Sequence, residues 1–314
     1  MLYFLLFLLL IALLALALTC ICFFKIFYSP KKKPPREDEY PTPDGKVYDA
    51  HRAQMVEWIK GIRALPHTDV SVTSFDGLKL CGKYYEHKKG APIEILFHGY
   101  RGTGERDLCG GVYRCFTLGH NALIVDHRAS GRSEGRVITF GVKESRDCQT
   151  WVNFVVNEID KDAKIIITGI SMGAATVMTA ASMEMPPNVI GVLADCGYTS
   201  TEAIVKKVIR DMKLPPNLLY PFARLGARLF GGFDPDERSP IRSMQSCRLP
   251  IIFFHGDTDD YVPCYMSEEN YNACTSEHKR LVITKGAGHG LCYPVDKEGY
   301  LSELESFFEP YINT

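Results

Sequence analysis

The chain has 314 residues, of which 46% are hydrophobic and 23% charged, with a formal net charge of −1. That is ordinary globular composition, long enough for one large domain with its own core. The near-zero balance gives no global field pointing to nucleic acid, and there is no zinc-finger or RNP-like motif and no basic stripe beyond the N-terminal region.

The first 24 residues, MLYFLLFLLLIALLALALTCICFF, are apolar except for Thr19. At 1.5 Å rise each they span roughly 36 Å, enough for a ~30 Å hydrocarbon core with some tilt. A cleaved signal peptide fits less well, because no Lys or Arg precedes Lys25 and Phe23-Phe24 follow the small residues at 15–17. A soluble core helix is rarely apolar on every side over such a length. The reading is therefore an uncleaved membrane anchor over residues 1–28. Lys25, Lys31, Lys32, Lys33 and Arg36 all follow the apolar run, which places the rest of the chain on the cytoplasmic side. Eleven scattered cysteines, odd in number and without a CxxC pair, suit a reducing compartment.

Residues 29–44, SPKKKPPREDEYPTPD, read as a linker, which leaves 45–314 as the folded domain. Met55, Trp58, Ile59 and Ile62 have helical spacing. Residues 70–85 read as a hairpin turning at Asp76-Gly77. Short buried runs follow at 93–97, 122–125, 164–168, 189–194, 250–254 and 280–284, separated by helical patterns such as 142–159. This alternation predicts a mostly parallel sheet with helices on both faces. The longest gap, 200–247, contains LPPNLLYPFARLGARLFGGF and reads as a helical lid over the carboxyl edge of the sheet. The competing reading is an extra packing helix with no role in substrate choice.

Within 165–177, IIITGISMGAATV, a serine stands between two glycines where a buried strand passes into a helix. In such a G-x-S-x-G turn the glycines let strand and helix approach closely, and the strained turn lifts the Ser171 hydroxyl above the sheet edge. The helix after it aims free N–H groups at the same spot. The spacing is not that of a dinucleotide-binding G-x-G-x-x-G. A serine hydroxyl needs a base, and the base an orienter. His289, in TKGAGHGLC just past the last strand, is both downstream of an acidic cluster and in a glycine-rich loop. His98 and His255 end strands before glycines, where bonding to loop backbone is expected. The cluster holds Asp257, Asp259 and Asp260, and it is not a calcium loop, because Tyr261 and Val262 occupy positions that need a ligand and a glycine.

His98-Gly99-Tyr100, Gly169-Ile-Ser171-Met-Gly173, the run from His255 through Asp259 to Val262-Pro263, and Gly288-His289-Gly290 together resemble the serine α/β-hydrolases, close to the bacterial membrane-anchored esterase and serine-aminopeptidase-like group, over residues 68–312. The resemblance implies an α/β-hydrolase fold and puts the acid at Asp259. It also implies an oxyanion hole from the backbone N–H groups of Tyr100 and Met172. Residues 126–133 resemble the family's D-x-R-G-x-G-x-S loop, with Ala129 where Gly is usual.

The expected chemistry is acyl transfer to Ser171 with His289 as base, needing no cofactor and no metal. Leu218, Phe222 and Phe230 are the candidate substrate-binding residues of the lid, which suggests an acyl ester, thioester or lipid-like substrate. Three other readings stay open: a peptidase, an acyltransferase, and a catalytically silent fold serving as a membrane-tethered interaction module.

Overall fold

A computed structural model describes residues 1–31, 33 and 35–313; Lys32 of the basic flank, Pro34 of the linker and the C-terminal Thr314 lie outside the described residues. The apolar runs become strands β1 (Thr68–Thr73), β2 (Lys79–Tyr85), β3 (Ile93–Phe97), β4 (Asn121–Val125), β5 (Ile165–Ile170), β6 (Val189–Asp195), β7 (Ile251–Gly256) and β8 (Lys279–Thr284). They form one sheet in the order β1-β2-β4-β3-β5-β6-β7-β8. The β1–β2 hairpin pairs antiparallel with β4, and every other pairing is parallel. Strands β3, β4 and β7 are buried at every position, as central parallel strands covered on both faces must be.

The helices are α1 (Leu2–Ile26), α2 (Arg52–Ala64), α3 (Gly104–Thr117), α4 (Glu144–Phe154), α5 (Met172–Ala180), α6 (Thr201–Asp211), α7 (Pro216–Gly226), α8 (Pro240–Met244), α9 (Tyr265–Ala273), α10 (Cys292–Val295) and α11 (Lys297–Ile312). Two layers sandwich the sheet. Ile95, Phe97, Ile167 and Phe253 pack against α4, α5 and α8 through Trp151, Val177 and Met244. On the other face, Leu96 and Ile124 meet Trp58, Ile62 and Val112 of α2 and α3. There too, Leu193 and Phe254 meet Leu304 and Phe307 of α11. Each such fully buried aromatic contributes roughly 2–3 kcal/mol. The predicted helix at 142–159 is α4 followed by one wider π turn, Val155–Ile159.

Residues 200–247 carry α6, α7, a π-helical turn (Ala227–Gly231) and α8. α1 is long and apolar enough to cross a membrane, and most of it stands clear of the rest of the chain. Its C-terminal end does not. Thr19, Cys22 and Phe23 are buried against α7, and Tyr28 makes a β-bridge to Val137. A Cβ on Gly226 of α7 would lie 2.8 Å from the Thr19 carbonyl oxygen, so the two backbones cross almost in contact.

Candidate active site

Ser171 follows the last residue of β5 and sits at φ 57°, ψ −115°, outside the comfortable range for a residue with a Cβ. Its surroundings explain both flanking glycines. A Cβ on Gly169 would run into the backbone of Gly173, and one on Gly173 into the Phe97 carbonyl. The turn is pinned by the Ser171 N–H, which donates to the Asp195 carbonyl oxygen at 2.8 Å.

His289, on the loop after β8, lies with Nε2 2.9 Å from Ser171 Oγ and Nδ1 2.7 Å from Asp259 Oδ2. A carboxylate only accepts, so Nδ1 carries the proton and Nε2 is free to take the serine's. Asp259 is fixed from its other oxygen, which accepts from the N–H groups of Tyr261 (2.9 Å) and Val262 (2.8 Å). Burial alone would raise its pKa. Hydrogen bonds from His255 and His289 outweigh burial and hold the carboxyl well below the usual range. The neighbouring acids have other roles. Asp257 accepts from the Gly286 N–H at 2.6 Å, and the Asp260 carbonyl accepts from Lys207 of α6.

The turn after β3 brings Gly99 against the serine, so that a Cβ there would lie 3.8 Å from Ser171 Oγ. Tyr100 is the next residue along this turn, and Met172 is the first residue of α5, directly after Ser171. Asp107 of α3 supports the turn by accepting from the Gly99 N–H at 3.1 Å, and nothing in the linear pattern marks it out. Tyr100's own hydroxyl donates to the Ile26 carbonyl at 2.6 Å, and burial pushes its pKa up to about 12.

His98 and His255 bond inward. His98 donates to the Gly99 carbonyl and accepts from the N–H of His127, while His255 donates to the Val262 carbonyl and accepts from Ser267. Burial lowers the pKa of His98. Arg128 holds Asp147 at 2.6 Å and Asp76 at 2.9 Å, bracing the loop that starts at Asp126. Ala129 in that loop has φ 61°, the left-handed conformation for which glycine is the ordinary choice. Cys196, also left-handed at φ 49°, completes with Asp259 and His289 a group of three potential metal ligands, found once among the described residues. The His289–Asp259 bond and the two amides on Asp259 already use most of that donor set.

Ser171 and His289 open into a cavity of about 650 Å³. Tyr48, Met55, Trp58, Leu108 and Ile170 make its walls, and Arg114, Thr168 and Asp195 line it as well. Buried Glu94 fixes Arg114 and accepts from Thr168 at 2.9 Å. Burial would raise the Glu94 carboxyl, but Arg114 and His120 draw it down to about 2. The sequence pattern did not single out this wall, because α2, α3 and residues 43–48 reach it only through the fold. Leu218, Phe222 and Phe230 do not line the cavity. Leu218 is 60% exposed, Phe230 packs on Phe23 of α1 with ring centroids 5.6 Å apart, and Phe222 joins the cluster around Phe27 and Phe140. The lid's inward side is taken up by the apolar helix.

No family model matches the chain. An uncharacterised protein of Bacillus subtilis strain 168 is 29% identical over 193 residues, 61% of this chain and 63% of that protein, so the match spans less than two thirds of the relative's length. Among solved structures, the esterase Pf2001 of Pyrococcus furiosus superposes with TM-score 0.66 at 21% identity, over 89% of this chain and all of that one. The α/β hydrolase GrgF of Penicillium sp. sh18 does so with TM-score 0.61 at 18% identity, over 80% of this chain and all of its own. With its sheet order, the serine turn after β5 and these superpositions, the chain has the α/β-hydrolase fold.

Proposed function

We propose that the protein is a serine hydrolase that cleaves acyl esters or thioesters through an acyl-enzyme. The observation that supports this best is the relay from Asp259 through His289 to Ser171, at 2.7 and 2.9 Å, at the mouth of the cavity. His289 Nε2 takes the hydroxyl proton as Ser171 Oγ attacks the carbonyl carbon. The carbonyl oxygen becomes an anion between the Tyr100 and Met172 amides, each worth roughly 3 kcal/mol in such sites. Asp259 stabilises the imidazolium meanwhile. Collapse breaks the bond to the alcohol or thiol, which leaves with the proton from His289. A water, deprotonated by the same nitrogen, then attacks the acyl carbon, and Ser171 departs with the proton back on its oxygen. These steps need no cofactor.

In this reading residues 1–28 are an anchor, 29–44 a linker and 45–314 the catalytic domain on the cytoplasmic side, and the substrate is a small acyl ester or lipid-like molecule. The test is hydrolysis of aryl esters of rising acyl length by the full chain in detergent, beside Ser171→Ala. Turnover by the wild type and at least a thousandfold loss in the variant are expected, roughly what removing a nucleophile costs. If neither protein turns over any ester and a fluorophosphonate leaves Ser171 unlabelled, the reading fails and a silent interaction module replaces it. Cleavage of aminoacyl amides alone would move the assignment to a peptidase.

A further inference from the structure

We propose that the insertion is seated in the lipid bilayer beside α1, so that α1, α7 and the π turn after it form one membrane-embedded surface. This rests on the reading of α1 as a membrane span, and it begins where that helix meets the insertion. Leu18 of α1 packs on the cluster it shares with the insertion, and Thr19, Cys22 and Phe23 are buried there. An apolar boundary that covers α1 down to Thr19 therefore reaches the level where α7 crosses it.

The side chains at that level fit a bilayer. Gly226 lets the two helices cross in contact, and Phe230 packs on Phe23. Around this contact α1 exposes Ile21 and Phe24, and the insertion exposes Leu218, Leu225 and Leu229. Leu229 is 59% exposed and Ile21 57%. Side chains of this kind gathered around an apolar helix form a contiguous patch of the sort that marks an interaction surface. Lys25, Lys31 and Lys33 stand where the chain leaves α1, and exposed Arg210 and Lys213 stand at the end of α6, just before α7, all suited to lipid headgroups. A second protein would not require the apolar belt to continue along a membrane-spanning helix, whereas a bilayer does.

The test uses the full chain in vesicles of zwitterionic and anionic lipids brominated either just below the headgroup or near the bilayer centre. The two native tryptophans, Trp58 and Trp151, are buried and supply the background. Leu229→Trp and Leu225→Trp each add one reporter on the insertion. Lys161→Trp adds one at the opposite edge of the sheet, before β5. The added emission of Leu229→Trp and Leu225→Trp is expected to fall by more than half with shallow bromines, and that of Lys161→Trp to stay unchanged. Suppose the protein floats with the vesicles but the two insertion reporters are quenched no more than Lys161→Trp. The inference is then overturned while the anchor stands. A blue-shifted but unquenched reporter overturns it in favour of a second copy of the chain. If the full chain does not float, the anchor reading falls and the inference with it.

Discussion

The hydroxyl of Tyr100 donates a 2.6 Å hydrogen bond to the carbonyl oxygen of Ile26, so the turn beside Ser171 is tied to the last turn of the apolar helix. The neighbouring Arg101 repeats the link, donating to the carbonyls of Lys25 at 2.9 Å and Tyr28 at 3.0 Å. The apolar helix therefore acts as part of the wall behind that turn.

Tyr100→Phe removes the donor but keeps the backbone amide and the ring, which packs 5.0 Å from Phe140. A lost hydrogen bond of this kind costs ~1 kcal/mol. Thermal unfolding of the full chain in detergent should show that loss, and ester turnover should fall less than tenfold. A hundredfold fall would mean that the hydroxyl itself takes part in the reaction, contrary to the role given to the amide.

Ser171→Gly separates strain from chemistry. The serine's φ of 57° with ψ −115° is costly for any residue with a Cβ, by ~1–3 kcal/mol, and nearly free for glycine. The variant should lose activity and yet melt higher, by a few degrees. Because glycine also gains entropy when unfolded, the comparison with Ser171→Ala matters: alanine keeps the strain and should melt lower than glycine. Equal or reversed melting temperatures would show that the turn is not strained.

Local features were the most legible. Gly169, Ser171, Gly173 and the loop around His289 announce themselves because backbone geometry confined to a few residues dictates their types. Asp259 could be chosen among three neighbouring acids only through resemblance. What distinguishes it is the pair of amides from Tyr261 and Val262 and the ring of His289, contacts that no spacing reveals. In the insertion, Leu218 and Phe230 are exposed, and α7 buries Tyr220, Ala223 and Gly226 instead. Periodicity shows that one side of α7 is buried, and its partner is α1, almost two hundred residues away in the chain. The cavity wall at Trp58, Leu108 and Arg114 went unseen for the same reason, since α2 and α3 meet there only through tertiary packing. Ala129 shows a tolerated departure: with φ 61° it takes the glycine's conformation at a cost of ~1 kcal/mol.

Asp259→Asn tests the acid and its electrostatics together. Asparagine keeps the shape and can still accept from the Tyr261 and Val262 amides, but it can turn its amide toward His289 and select the wrong tautomer. Turnover should fall by roughly 10³–10⁴-fold. Near wild-type turnover would transfer the role to Asp257 or Asp260. Stability adds a pH signature of fixed sign. The folded-state pKa of Asp259 lies below its unfolded value, so the ionised carboxylate stabilises the fold above about pH 4 and the benefit drains away as pH falls toward the folded pKa. The wild type should therefore exceed Asp259→Asn in urea midpoint at pH 7, and the gap should narrow steadily between pH 5 and pH 3, where asparagine has no proton to take up. A gap that widens on acidification would mean that burial, and not the bonds from His255 and His289, governs the carboxyl.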